Sequence, residues 1–209
     1  AGLKRGDIAA SVLSNGPESI KALLAVTSLG AAFAPLNPAY TADEYTFYLK
    51  DIAPRMLIVP AGEGGIVRAV VPAGVIVVDA AFGIEQGLTF TFKGRSMSAA
   101  GSLPSSVSPD DVALILHTSG TTSRPKQVPL LQRNLVASAR TIANFYDLTV
   151  NDVSLCVMPL FHIHGLVAST LAALAGGGSV VAPRRVAPRR VWQQIAEYDV
   201  TWFSAGPTL

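Results

Sequence analysis

Between Asp7 and Asp79 short β-branched or apolar runs alternate with stretches of helical spacing, and few folds accept that pattern. Asp7–Leu13 reads as a strand. Pro17–Leu29 reads as a helix, with Ile20, Leu23, Leu24 and Val26 near helical spacing. Phe33–Leu36 is a short buried strand ending at Asn37-Pro38. Thr41, with Glu44 three residues on, predicts a capping box that opens a helix to about Asp51. Arg55–Val59 is the next strand, Gly65–Val71 a helix and Val75–Asp79 a further strand. Alternation of this kind predicts an α/β fold, a parallel-rich sheet flanked by helices.

The pattern weakens from Phe82 to Asp110, where Leu88–Phe92 is a candidate strand and Ser98–Pro109 reads as a linker or long loop. Asp111–Leu116 is a buried strand that runs straight into the polar segment His117–Lys126. Val128–Leu131, Val153–Met158, Ser179–Val181 and Val200–Ser204 are candidate strands, and Asn134–Tyr146, Gly165–Ala175 and Val191–Tyr198 candidate helices. The expected division is a first α/β subdomain over residues 1–157 and the beginning of a second over 158–209. The repeat Ala182-Pro-Arg-Arg-Val-Ala-Pro-Arg-Arg-Val191 places four arginines in seven positions, which could meet phosphate, but charge runs usually face water and a solvated turn leading into a helix is the favoured reading.

Composition narrows the function classes. With 50% apolar and 14% charged residues the chain is not disordered. Sixteen Lys and Arg against fourteen Asp and Glu leave a net charge of +2, which gives no basis for a nucleic-acid partner. So few charges also predict apolar surface that packs against something else. The single cysteine, Cys156, excludes an internal disulfide and fits a reducing compartment, so a cytoplasmic location is expected. It lies mid-strand and reads as a buried, inert thiol.

Leu155–Pro183 carries no formal charge, yet Pro159, His162, His164 and Gly176–Gly178 interrupt it. Its apolar helical part, Leu166–Ala175, is too short to cross a bilayer, so no transmembrane segment is expected. The chain opens on Ala-Gly-Leu-Lys-Arg without Met and ends on Gly-Pro-Thr-Leu, so both ends read as breaks in a longer chain.

The segment that carries chemistry is Leu116-His-Thr-Ser-Gly-Thr-Thr-Ser-Arg-Pro-Lys-Gln-Val-Pro-Leu130. Five consecutive hydroxyl or glycine residues, Thr118, Ser119, Gly120, Thr121 and Thr122, follow a buried strand. Such a loop offers backbone N–H groups and hydroxyls with little bulk, and it ends near Lys126, a point charge suited to phosphate. It is not a Walker A loop, because Lys126 lies between Pro125 and Gln127 rather than in Gly-Lys-Ser/Thr. Ser123-Arg-Pro-Lys126 matches the Ser-x-x-Lys of β-lactamase-like enzymes, but no Lys-Thr-Gly accompanies it, and Pro125 would interrupt the helix that presents such a serine.

What remains resembles the signature loop of the adenylate-forming superfamily, roughly aromatic-Thr-Ser-Gly-Thr-Thr-Gly-x-Pro-Lys-Gly. Thr118 to Thr122, Pro125 and Lys126 match it in order and spacing. Gly30-Ala-Ala-Phe-Ala-Pro-Leu-Asn-Pro-Ala-Tyr40, Pro159-Leu-Phe-His-Ile-His-Gly165 and Thr201-Trp-Phe-Ser-Ala-Gly-Pro-Thr-Leu209 resemble further elements of that family in its order. Ser123-Arg124 and Pro-Leu-Phe-His-x-His-Gly look closest to the oxalyl-CoA synthetase and coumarate-CoA ligase branch.

The resemblance implies the partial amino-terminal domain of the adenylate-forming fold. It implies a parent that joins a small carboxylate to ATP, with Mg, and passes the acyl group to coenzyme A. Thr118, Ser119, Gly120, Thr121, Thr122 and Lys126 would hold the ATP phosphates, and His162 would line the carboxylate and adenylate pocket. Lys126 and His162 are the implied catalytic residues, and no metal is held by side chains. His117, His162 and His164 lack a Cys or carboxylate at ligand spacing.

The family's later adenine and magnesium element, its ribose-binding Asp and its C-terminal domain have no counterpart here, so the chain alone is expected to be inactive. The alternatives are an adenylation domain that loads a carrier protein and a non-catalytic nucleotide-binding fragment. Two positions depart from the pattern. Ser123 replaces a glycine, and Gln127 replaces the glycine after Lys126. If the latter position demands positive φ, the glutamine costs on the order of a kcal/mol.

Overall fold

The computed structural model describes residues 2–83, 85, 87–92, 95–96, 107–118 and 125–206. Contacts divide the chain into two units, Ala1–Leu13 with Pro17–Gln132, and Ser14–Gly16 with Arg133–Leu209. The division falls at Gln132, earlier than the change of subdomain expected after residue 157.

The first unit is an eight-stranded mixed sheet. Its strands are β1 (Ile8–Ser11), β2 (Ala32–Pro35), β3 (Met56–Pro60), β4 (Ile76–Gly83), β5 (Gly87–Phe92), β6 (Arg95–Ser96), β7 (Val112–Thr118) and β8 (Lys126–Leu131). Their spatial order is β6-β5-β4-β3-β1-β2-β7-β8. The central run β4-β3-β1-β2-β7 is parallel, while β5, β6 and β8 are antiparallel additions at the edges. Pro129 sits inside β8, which is tolerated because β8 is an edge strand with one side unpaired.

Helices α1 (Pro17–Thr27), α2 (Ala42–Ile52) and α3 (Gly65–Val70) make the crossovers between the first four strands. Helix α2 starts where the sequence predicts. The Thr41 side chain accepts the Glu44 amide while the Glu44 carboxylate accepts the Thr41 amide at 2.8 Å, so two end-of-helix donors are satisfied reciprocally. Its buried face, Tyr45, Tyr48, Leu49 and Ile52, packs with Val67 of α3 on alternate strand residues Ala10, Val12, Ala34, Leu57, Val59 and Ile115. The intervening residues Ala9, Phe33, Ile58, Val78 and Leu114 are buried as well, so both faces are covered, as a parallel sheet requires. Helix α1 contacts β2 and β4.

The sequence reading and the structure differ mainly at element ends. The strand expected over Val75–Asp79 continues to Gly83, because β5 pairs antiparallel with it from Asp79 to Gly83. Most of the linker expected over Ser98–Pro109 lies outside the described residues.

The second unit carries a parallel three-stranded sheet with order β10-β9-β11, where β9 is Val153–Leu155, β10 Ser179–Val181 and β11 Trp202–Phe203. Helix α4 (Gln132–Phe145) leads towards β9, α5 (Ala172–Ala175) precedes β10, and α6 (Pro188–Glu197) connects β10 to β11. Helix α6 begins at Pro188, three residues before the predicted Val191, because proline at the first helical position gives up no hydrogen bond. Leu155, Val157 and Val191 form the centre of this unit's core, with Val181, Val186, Ile195, Val200 and Ala205 around them.

Most of the helix expected over Gly165–Ala175 is wound more loosely than an α-helix. His164–Leu171 is a π-helix, and the Ala172 amide bonds back five residues to the Val167 carbonyl. The Thr170 hydroxyl donates to the Gly165 carbonyl at 2.8 Å, and the Ser169 carbonyl accepts the Ser154 hydroxyl at 2.8 Å. Side chains thus use carbonyls that a regular ladder would use, a known route to helix irregularity. No helix among the described residues is long and apolar enough to cross a membrane.

Candidate functional site

In the first unit β7 runs parallel beside β2, with Phe33 opposite Leu114, so its carboxyl end lies at the carboxyl edge of the parallel run. Open α/β sheets bind ligands outside that edge. There β7 turns back into β8, and the last paired residues are Thr118 and Lys126. The segment singled out in the sequence is therefore the connection of an edge hairpin. Ser119, Gly120, Thr121 and Thr122 lie outside the described residues. Thr118 and Lys126 are both exposed where that connection begins and ends.

One rung inward His117 faces Gln127 across the two strands. The Gln127 amide nitrogen reaches the backbone carbonyl of Asp51 at 2.7 Å and its carboxylate at 2.8 Å. His117 Nε2 lies 2.9 Å from the same carboxylate oxygen, and the His117 side chain is only 5% exposed. The hydrogen bond from His117, then that from Gln127, holds the Asp51 carboxyl below the usual carboxylate range. An ionised carboxylate only accepts, so Nε2 is the protonated nitrogen of the imidazole. Behind it the Tyr48 ring meets His117 edge to face at 4.6 Å between centroids, and Tyr40 stacks on Tyr48 at 4.7 Å.

Gln127 is thus not the strained residue that its departure from the glycine pattern allowed. Positive φ among the described non-glycine residues occurs at Ala53, Asp147 and Asp199, and Gln127 is ordinary strand backbone. Neither Asp51 nor the partnership of Gln127 was legible in sequence, since Asp51 lies on a distant helix and matches no motif.

His162 belongs to the second unit. It closes a turn in which its amide donates to the Pro159 carbonyl at 3.1 Å, and its own carbonyl accepts the Leu166 amide at 3.1 Å as the next helix begins. Its ring tilts against Phe161 with centroids 4.5 Å apart. The residue is exposed by area, yet the protein around the ring disfavours the imidazolium and lowers the pKa, leaving a neutral imidazole at pH 7.

Asn15, which the sequence reading passed over, holds this turn. Its side-chain nitrogen donates to the Met158 carbonyl at 2.9 Å, and its oxygen accepts the Leu160 amide at 2.8 Å. The only prior signal was an Asn-Gly pair after a strand, which reads as a turn. His164, two residues beyond His162, pairs with the Ser204 hydroxyl at 2.7 Å. Cys156 is fully buried and burial pushes its thiol pKa up, in keeping with an inert thiol.

The fold is an open α/β sheet, with Thr118 and Lys126, the described ends of the polar segment, paired at its carboxyl edge. More narrowly, the chain belongs to the AMP-binding enzyme family, whose model matches residues 1–209. It is 39% identical over 217 residues to an oxalate–CoA ligase of Arabidopsis thaliana, covering 100% of this chain and 41% of that protein. It is 39% identical over 228 residues to an oxalate–CoA ligase of Saccharomyces cerevisiae, covering 98% and 42% respectively.

Among solved structures it superposes on the O-succinylbenzoate coenzyme A synthetase of Bacillus subtilis, in complex with AMP. There the TM-score is 0.79 and the identity 28%, with 98% of this chain and 50% of that chain covered. The fold is that of the amino-terminal region of adenylate-forming enzymes, and the relatives fall in the oxalate- and coumarate-type branch expected from the motifs. The chain spans about two fifths of the length of these curated relatives.

Proposed function

We propose that this chain is the amino-terminal part of an ATP-dependent acid–CoA ligase. In the first half-reaction a carboxylate oxygen attacks the α-phosphorus of Mg-bound ATP. The bond to the bridging oxygen breaks, and pyrophosphate leaves. In the second, the thiol of coenzyme A attacks the acyl carbon, its proton passes to solvent, and AMP departs.

The observation that carries this reading is the pairing of Thr118 with Lys126 at the mouth of the edge hairpin, where the parallel strands present their carboxyl ends. In the proposed roles Lys126 and the donors of Thr118, Ser119, Gly120, Thr121 and Thr122 hold the β- and γ-phosphates. They stabilise the charge that builds on departing pyrophosphate, and fixed donors act most strongly on developing charge. His162, neutral at pH 7, donates a hydrogen bond to the carboxylate being activated.

Oxalate is the first acid to test, because two relatives at 39% identity carry that name. A buried thiol in Cys156 fits a reducing, cytoplasmic setting.

The deciding experiment is oxalate-dependent ATP–pyrophosphate exchange in the full-length protein. The expected result is exchange that falls about a hundredfold or more in Lys126→Ala, the loss typical of removing a preorganised charge donor. Exchange unaffected by that substitution overturns the assignment of the phosphate site. The 209-residue chain alone is expected to show no exchange, and turnover by it would refute its reading as an incomplete part.

A further inference from the structure

We propose that Asp51, His117 and Gln127 form a clasp that positions the phosphate loop, with Gln127 setting how tightly the two ends of that loop are held together. The inference rests on the reading of residues 118–126 as the ATP phosphate site, and it assigns a role to three residues outside that segment.

His117 and Gln127 flank the loop symmetrically, each one residue outside the Thr118–Lys126 pair. Because strand side chains alternate, His117 and Gln127 share the face that α2 covers, while Thr118 and Lys126 point the other way. Ile115, on the same face as His117, is part of the core under α2, which fits that alternation. One carboxylate therefore receives a donor from each side of the hairpin, at 2.9 Å and 2.8 Å, and the Gln127 amide adds a second bond to the Asp51 carbonyl at 2.7 Å. The hairpin cannot splay at this rung without breaking bonds to an ionised acceptor, the stronger class of hydrogen bond.

Two features argue that the clasp does more than stabilise the fold. Asp51 stands in the last turn of α2, where a carboxylate is disfavoured by the helix dipole. Gln127 occupies a position at which the signature pattern carries glycine, so the amide is an addition to the loop's frame. Because β8 is the edge strand, held on one side by β7 alone, the spacing between Thr118 and Lys126 depends on contacts such as this one.

The test is steady-state kinetics of the full-length protein with ATP and the carboxylate varied separately, beside a thermal melt of each variant. Gln127→Met keeps the side chain's length and removes its donors. Its KM for ATP is expected to rise about tenfold or more, the scale of a hydrogen bond to a charged group, with KM for the carboxylate unchanged. Gln127→Glu places a second carboxylate against Asp51 and is expected to raise KM for ATP further. Asp51→Asn combined with Gln127→Glu restores the side-chain donor–acceptor pair but leaves a carboxylate facing the Asp51 main-chain carbonyl, so it is expected to recover part of the loss that Gln127→Glu causes. An unchanged KM for ATP in Gln127→Met overturns the proposal. So does a swap that restores the melting temperature but not KM, because the clasp would then be structural only. If the unaltered protein shows no carboxylate-dependent exchange, the ligase reading itself falls, a result distinct from either of those.

Discussion

The Leu160 amide donates to the Asn15 side-chain oxygen at 2.8 Å, and the same Asn15 side chain returns its nitrogen to the Met158 carbonyl at 2.9 Å. One amide thus reads the backbone on both sides of Pro159, which itself has no N–H to offer. The turn it braces carries His162 and opens the π-helix.

Replacing Asn15 by alanine leaves a backbone donor and an acceptor without their partner in a half-buried setting. The expected cost is about 1–3 kcal/mol. Urea unfolding of the chain measures it, and a loss below about 0.5 kcal/mol, the scale of an ordinary surface change, would show that water replaces the amide fully.

Gly165 has no room for a side chain. A β-carbon there would collide with the Pro159 carbonyl oxygen and lie 2.8 Å from its carbon, both backbone atoms that cannot swing aside. Gly165→Ala is expected to destabilise by about 1–3 kcal/mol or to disturb the π-helix and the turn before it. A thermal melt within experimental error of the unaltered chain would contradict that packing.

Ala53 closes α2 in the left-handed region, with φ 47° and ψ 56°, and its amide bonds to the Leu49 carbonyl. An L-residue pays about 1–2 kcal/mol for that conformation, whereas glycine does not. After subtracting the extra freedom glycine has in the unfolded chain, Ala53→Gly is expected to gain roughly 0.5–1 kcal/mol. Denaturant titration showing a loss would place the residue outside the left-handed region.

The protein around His162 lowers its pKa by disfavouring the charged ring. A folded-state pKa below the unfolded value of about 6.5 means the unfolded chain binds the proton more readily. Stability from this group is therefore complete above about pH 6.5 and declines as pH falls through the folded-state value. An NMR titration of the His162 ring should show a midpoint below that of the same residue in denatured chain. A midpoint above it would remove the neutral donor from the proposed chemistry.

Glu44 follows the same direction for another reason. The Thr41 backbone amide, then the Thr41 hydroxyl, stabilises its carboxylate and lowers its pKa. The capping box is thus complete above the ordinary carboxylate range and is lost as pH falls through the lowered value. A circular-dichroism acid titration comparing Glu44→Gln with the unaltered chain should show less acid sensitivity in the variant. Equal sensitivity would mean that the carboxylate contributes nothing to the cap.

Local pattern alone carried the alternation of strands and helices, the capping box at Thr41 and Glu44, the polar loop after a buried strand and the family likeness. Each of these depends on residues close together in the chain, whose periodicity, caps and spacing act before any distant contact forms. Tertiary structure decided the strand order β4-β3-β1-β2-β7, the extension of β4 to Gly83, and the loosened winding from His164 to Leu171. It also decided that Gln127 is held by Asp51 rather than strained, and that Asn15 braces the turn before His162. Those outcomes depend on groups separated by up to 145 residues, as in the bond between Asn15 and Leu160. A donor and acceptor so far apart leave no periodicity in a sequence, because only the folded backbone brings them within 3 Å.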